Sequence, residues 1–439
     1  MSVHIQQKLV AILDEAAHPL TEDKCDYLLN KIGDARFVLI GEATHGTHEF
    51  YQIRSQITKQ LLEKKGFMAV AIEGDWPDAY CIHRFIQQKD NSDINDALAG
   101  FKRFPTWMWR NTAMPPFLNW LHTFNKQQAI LRMPKIGFYG LDLYSLHSSV
   151  QAVIQYLYKV DAKAAHRAEQ RYACFNHIHI DPQAYGYLAY AGIKKNCIKE
   201  AVEQLLELQH RAFDYLCKDN SDMEENYFFA TQNARLVKNA ETYYRSMFAE
   251  HTSSWNIRDR HMAEMVNVLT DHLETRFNRP AKMIIWAHNS HIGDARATEM
   301  GEDGEVNIGQ LVREQYHPHT YLIGFSTYEG FVTAASNWDA PAEYKKVIPA
   351  LKGSYEDLFH ALQYKNFILD LTNRELEHFL KIPRLQRAIG VVYRPETERA
   401  SHYYFTRLPY QFDCMIHLDK TNAVQPLDDS EEWERGRQH

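Results

Sequence analysis

Two short stretches of the chain concentrate residues that can move protons. One is Gly41-Glu42-Ala43-Thr44-His45-Gly46-Thr47-His48-Glu49-Phe50, and the other is Trp286-Ala287-His288-Asn289-Ser290-His291-Ile292-Gly293-Asp294. Six candidates are drawn from them together with Arg54 and Glu73, namely three histidines, two carboxylates and a guanidinium: His45, His288, His291, Glu42, Glu73 and Arg54. Hydrolysis by direct attack of water needs a base, a partner that orients the base, and donors for the developing oxyanion. His45 suits the first role, because imidazole titrates near neutrality and a carboxylate on its far nitrogen fixes the tautomer and raises its basicity. Either Glu42 or Glu73 can be that carboxylate. His288, His291 and Arg54 can donate to the oxyanion or protonate a leaving alkoxide, each such donor being worth roughly 3 kcal/mol in favourable cases. No side-chain nucleophile is required.

Convergence of these six needs a scaffold, and apolar runs lead directly into them. Arg36-Phe37-Val38-Leu39-Ile40 precedes the first stretch, Met283-Ile284-Ile285-Trp286-Ala287 the second, and Met68-Ala69-Val70-Ala71-Ile72 ends on Glu73. In open α/β sheets, ligands bind beyond the carboxyl ends of the strands. Apolar residues at Phe50, Ile53, Ile57 and Leu61 predict a helix over Thr47 to Lys65, with Gly66 at its C-terminal cap. A second helix is expected near Trp76 to Gln88, then a strand from Lys135 to Leu141 ending on Asp142. Strand signals return at Lys282–Ala287, Thr320–Phe325, Asn366–Leu371 and Ala388–Tyr393. The expected fold is a three-layer α/β/α arrangement with a largely parallel sheet, mixed at most in part. Residues 1–147 and 279–430 form its discontinuous core, residues 148–278 read as a helical insertion or cap, and residues 431–439 read as a polar, solvated tail.

Composition narrows the function classes. A hydrophobic fraction of 45% with 22 Phe, 25 Tyr and 8 Trp is enough for a sizeable core in 439 residues. The net charge of -7 comes from 56 acidic against 49 basic residues and no basic stripe stands apart, so nucleic acid is not an expected partner. No leader pattern and no apolar run of spanning length are evident, so a cytoplasmic protein without membrane contact is expected. Six cysteines without CxxC pairing or scaffold-like spacing suit reduced thiols rather than a zinc site. There is no GxSxG elbow, no GxxxxGK[ST] and no GxGxxG after a strand, which disfavours a serine hydrolase and a nucleotide site.

Plainer readings compete at each position. Glu42 can simply cap the following helix, Glu73 and Arg54 can be a buried ion pair, and a histidine after a strand is usually just a satisfied polar group. The aromatic stretch Phe101 to Asn111 offers Trp107 and Trp109 as walls of an apolar substrate cleft, or as core. Arg258 can face an acyl or sugar oxygen, Asp259 can cap a helix beginning at Arg260, and His402 reads as structural.

Taken together, GEATHGTHEF with Arg54, GFMAVAIEGDWPDA around Glu73, RFPTWMWRN, SWNIRDRHMAE at 254 to 264 and WAHNSHIGD resemble the erythromycin esterase family, which includes hydrolases associated with succinoglycan biosynthesis. The resemblance spans most of the chain and implies a metal-independent esterase or lactonase that opens macrolide rings, an antibiotic-resistance activity. It implies His45 as general base, Glu73 and Glu42 as its positioning groups, and Arg54, His288 and His291 completing the pocket, with no cofactor. It also implies a three-layer core similar to haem-binding lipoproteins and Tiki-type metalloproteases. The expected partner is a small apolar ester or lactone. Two alternatives use the same residues: a hydrolase or peptidase holding a divalent metal on the His/Glu cluster, and a non-enzymatic protein that binds a hydrophobic ligand.

Overall fold

The structure is a computed structural model, and it describes residues 3–20, 25–89, 93–178, 182–193, 196–216, 223–248, 251–428 and 430–438. Its strands in chain order are β1 (Ala17–Pro19), β2 (Phe37–Ile40), β3 (Ala69–Asp75), β4 (Gly137–Asp142), β5 (Met283–Trp286), β6 (Thr320–Ala334), β7 (Glu343–Val347), β8 (Asn366–Asp370), β9 (Arg384–Arg387), β10 (Tyr403–Thr406) and β11 (Cys414–Thr421). Nine of these form one sheet in the order β1-β8-β11-β6-β2-β5-β3-β4, with β7 paired to β6. The pairs β11–β6, β6–β2, β2–β5 and β5–β3 are parallel, whereas β1–β8, β8–β11 and β6–β7 are antiparallel. The sheet is therefore mixed and mostly parallel. Every residue of β2, β3 and β5 is buried, a pattern that requires helical cover on both faces, and the fold is of the three-layer α/β/α class.

By its internal contacts the chain divides into two compact units. The first comprises Met1–Glu73, Ile82–Phe138 and Val266–His439 and carries most of the sheet. Its register is set at the centre, where Phe37 to Ile40 of β2 pair with Met283 to Trp286 on one side and Thr320 to Ile323 on the other. The loop after β2 opens the His48–Lys64 helix, which buries Phe50, Ile57 and Leu61 and ends before Gly66 at φ +70°. That φ is in the left-handed region that favours glycine, which has no Cβ to clash there.

The second unit comprises Gly74–Cys81 and Tyr139–Met265. It is helical beyond the strand ends, and the Leu146–Val160 helix buries Leu146, Val150, Val153 and Leu157 at three- and four-residue spacing. Here Cys174 and Cys197 are joined as a disulfide across 23 residues, with 6.1 Å between their Cα atoms. This corrects the expectation of six reduced thiols, since a bridge between a short turn and the start of a helix leaves no local spacing to read. Cys414 is a buried free thiol.

Other expectations are also revised. β3 continues through Glu73 to Asp75, so Glu73 stands within a strand. β6 is 15 residues long because its second half pairs with β7. Ala388–Tyr393 makes only isolated bridges at Ile389 and Val392, and the strand lies earlier at β9. Asp259 sits inside the His251–Phe277 helix rather than at its cap. The segment read as a polar tail carries a helix, Glu431–Arg437, capped by Ser430, and its Trp433 is only 3% exposed. Among the described residues no helix is long and apolar enough to cross a membrane.

Candidate active site

The parallel strands β2, β5 and β3 lie side by side, and the six residues singled out by their chemistry follow them or stand upon them within the first unit. Two glycines make the first loop possible. A Cβ on Gly41 would sit 2.1 Å from Asn289 Oδ1, and one on Gly46 would sit 1.9 Å from the Thr333 carbonyl oxygen. Between them, Ala43 accepts a hydrogen bond from Ile389 N–H, and Glu42 accepts one from Asn289 N–H at its carbonyl. Asn289 also bridges to β6, donating from Nδ2 to Phe325 O at 2.7 Å and accepting from Phe325 N–H at 3.2 Å. The loops after β2 and β5 are thus stitched to each other and to the sheet.

Glu42 is fully buried and engages two partners. His45 Nδ1 lies 2.9 Å from Oε1, and Arg54 Nη2 lies 2.6 Å from Oε2. A carboxylate facing a guanidinium acts as acceptor, so His45 donates from Nδ1 and its Nε2 keeps a lone pair. Arg54 has no solvent exposure. Its guanidinium stacks 4.6 Å from the Tyr51 ring and 4.9 Å from Trp286, whose π faces offset the desolvation of the cation.

Glu73 forms the second half. Its Oε2 accepts the backbone N–H of His288 at 2.8 Å, and its Oε1 lies 3.4 Å from His291 Nε2. The His288 ring stands 4.8 Å from that of His45, centroid to centroid. His288 Nδ1 accepts from Ser290 N–H at 3.3 Å and lies 2.8 Å from Ser290 Oγ, which places the ring proton on Nε2. That Nε2 is buried and makes no hydrogen bond of normal geometry. Burial, aided by the neighbouring His45, pushes the His288 imidazole down to about 3. The ring is a neutral N–H donor throughout the physiological range.

This burial couples to stability with a definite sign. The unfolded chain protonates His288 as pH falls through about 6.5, whereas the folded protein resists until about 3. The unfolded state binds more protons in that window, so stability falls as pH falls. Between pH 7 and pH 5 the single imidazole accounts for about 2 kcal/mol. Urea unfolding of the wild type and His288→Asn at the two pH values is expected to show that much smaller a loss in the variant; equal losses would contradict the buried neutral assignment.

The remaining predicted residues are placed differently. Trp109 is buried and donates from Nε1 to the Glu73 carbonyl at 3.2 Å, bracing the strand that carries the carboxylate. Trp107 packs into a cluster with Ala335, Ala342 and Trp433, so its surroundings are core rather than the wall of a cleft. Arg258 belongs to the second unit, where its guanidinium grips Asp142 in bidentate fashion at 3.0 and 2.7 Å; that fork is not open to an acyl or sugar oxygen. His402 is buried, accepts from Arg394 N–H and is pushed down to about 4 by burial, as befits a structural histidine. Residues that the motif left unmarked complete the framework. Tyr51 Oη lies 2.9 Å from the His45 carbonyl and 2.8 Å from that of Met108, and nothing in the spacing of Tyr51 signals it. Asn289 and Ser290, by contrast, stand inside the WAHNSHIGD stretch, although the sequence reading gave neither a role. Among the described residues, no group of three or more His, Cys, Asp or Glu side chains is arranged to hold a metal ion; Glu42 and Glu73 are engaged by Arg54 and the histidines instead.

A family model described as erythromycin esterase matches residues 62–421. Glu73, His288 and His291 lie within the matched span, while Glu42, His45 and Arg54 precede it. The putative hydrolase YbfO of Bacillus subtilis (strain 168) is 23% identical over 351 residues, covering 76% of this chain and 74% of its own. Erythromycin esterase type II of Escherichia coli is 21% identical over 414 residues, covering 90% of this chain and 91% of its own. Among solved structures, a succinoglycan biosynthesis protein shares the fold with a TM-score of 0.78 at 21% identity, covering 98% of this chain and 100% of that one.

Proposed function

The chain belongs to the erythromycin esterase family, a family of hydrolases, and from that premise we propose that it hydrolyses carboxylic esters, lactones included, by activating water on His45. The observation that carries the reading is the buried line Arg54–Glu42–His45, which engages Nδ1 of His45 and sets its ring 4.8 Å, centroid to centroid, from that of a neutral His288. In the proposed reaction His45 Nε2 takes a proton from water as the water oxygen bonds to the ester carbonyl carbon. The carbonyl oxygen gains negative charge, and His288 Nε2–H donates to it. Collapse of the tetrahedral adduct breaks the carbon–alkoxide bond, His291, held against Glu73, protonates the leaving oxygen, and the proton that His45 took from water is returned to His291, so that both imidazoles end as they began. Acid and alcohol result, or a hydroxy acid when the ester is cyclic. Arg54 holds Glu42 as an acceptor so that His45 keeps its orientation. No divalent metal takes part in this scheme, because the carboxylates that would ligate one are engaged by Arg54 and the imidazoles.

The name of the Escherichia coli relative brings a macrolide lactone to this chain as the candidate substrate. The test is mass spectrometry of a panel of p-nitrophenyl esters, aliphatic lactones and erythromycin incubated with chelator-dialysed protein in ¹⁸O-labelled water. A gain of one water with a single label in the new carboxylate is expected. Hydrolysis of simple esters with erythromycin untouched would keep the chemistry and remove the macrolide, whereas no product from any member, or activity that returns only with added metal, would overturn the proposal.

A further inference from the structure

The backbone of the His45 loop is held in part by residues beyond the span that the family model matches. The Gly46 carbonyl, one peptide after His45, accepts two backbone N–H groups, from Thr333 at 3.0 Å and from Val424 at 2.8 Å. Thr333 Oγ1 donates in turn to the Val424 carbonyl, and Trp433 Nε1 donates to Thr333 Oγ1 at 2.8 Å. One indole N–H therefore fixes the hydroxyl that ties together both residues gripping Gly46. The same strap reaches the helix that follows: His48 N–H donates to Asn422 O, and Asn422 donates to both oxygens of Glu49. It also reaches the aromatic loop, where Arg110 pairs with Asp428 and Thr112 N–H donates to Gln425 O.

The Trp433 ring itself is anchored. It shares a buried cluster with Trp107, Ala335 and Ala342, meets Tyr344 edge-on at 5.4 Å, and rides on a helix whose Gly436 lies against the Tyr344 backbone. Gly46 cannot yield, because a side chain there would collide with Thr333. A rigid anchor at one end and an unyielding glycine at the other leave the intervening hydrogen bonds to define where the His45 peptide sits.

We propose that Trp433 is a positioning residue for His45, acting through Thr333 and Val424, and that the described residues 422–428 and 430–437 form a strap completing the active site. The inference rests on the reading of His45 as the base. A displacement of a catalytic group by a fraction of an ångström lowers turnover without preventing binding, so the effect falls on kcat. Trp433→Phe keeps the ring in its cluster and removes only the N–H. Its kcat for p-nitrophenyl butyrate is expected to fall about tenfold with KM within twofold and a nearly unchanged melting temperature. Thr333→Val should behave alike, and the double variant should be no worse than either single, because both remove the same link. A wild-type kcat in Trp433→Phe, or losses that multiply, would overturn the inference. A readout independent of any substrate is amide hydrogen exchange: Trp433→Phe is expected to accelerate exchange at Thr333 and Val424 at least tenfold while β2 stays protected, and unaltered exchange there would overturn it. His45→Ala separates the two levels, for turnover surviving in that variant defeats the base assignment, whereas a dead His45→Ala beside an unaffected Trp433→Phe defeats the strap alone.

Discussion

His45→Ala is expected to lower kcat by about a thousandfold, within the range by which a positioned general base accelerates proton transfer. The variant loses the imidazole that Glu42 holds at Nδ1 and whose ring stands 4.8 Å from that of His288. It also leaves Glu42 Oε1 without its partner in a buried setting, which costs about 1–3 kcal/mol of stability. Activity per folded molecule is therefore the quantity to measure, with circular dichroism establishing the folded fraction. A kcat within tenfold of wild type would remove His45 from the role of base and shift attention to the Glu73–His291 pair.

Arg54→Met should have the largest effect on stability of any single substitution in the site. The guanidinium is wholly enclosed, with Glu42 at 2.6 Å and rings on two sides. Methionine fills much of the volume but leaves the Glu42 carboxylate without its counter-ion, and breaking a buried pair in this way costs about 3–5 kcal/mol. Glu42→Gln in the Arg54→Met background should recover part of that loss, because the stranded charge is then gone. Urea unfolding of the single and double variants checks both statements. A loss under about 1 kcal/mol for Arg54→Met would show that water reaches the pair, contrary to its burial.

The carriers of this site were legible because each is a local pattern. Short apolar runs before Gly41, Glu73 and Ala287 mark strands β2, β3 and β5 on their own, and the spacing of Phe50, Ile57 and Leu61 marks the following helix without reference to anything distant. Convergence of Glu42, His45, Arg54, Glu73, His288 and His291 follows once those strands are parallel neighbours. What stayed hidden depends on partners far along the chain. Trp433 sits in an acidic, polar stretch whose composition signals solvent, and only its packing on Trp107 and its bond to Thr333, 100 residues away, make it core. Arg258 carries a cation suited to a substrate oxygen, yet Asp142 claims it over a separation of 116 residues. Ala388–Tyr393 has the composition of a strand, but no neighbour offers more than a single bridge at each end. Periodicity reports which face a residue turns inward; it carries no record of what it will meet there.

The sheet is also a ruler. Parallel neighbours stand about 4.8 Å apart, and the rings of His45 and His288, one strand apart, repeat that interval at 4.8 Å. Three adjacent strands, β2, β5 and β3, thus confine all the reactive groups to a width of roughly 10 Å. On the proposed reading, a frame of that gauge would grip one carbonyl and the atoms bonded to it, and leave the rest of a molecule ungraded. Chemistry and appetite would then be separable in this architecture: the spacing of the backbone would set which bond is cut, and evolution could exchange the walls beyond it, and so the size of what is admitted, without disturbing the cut.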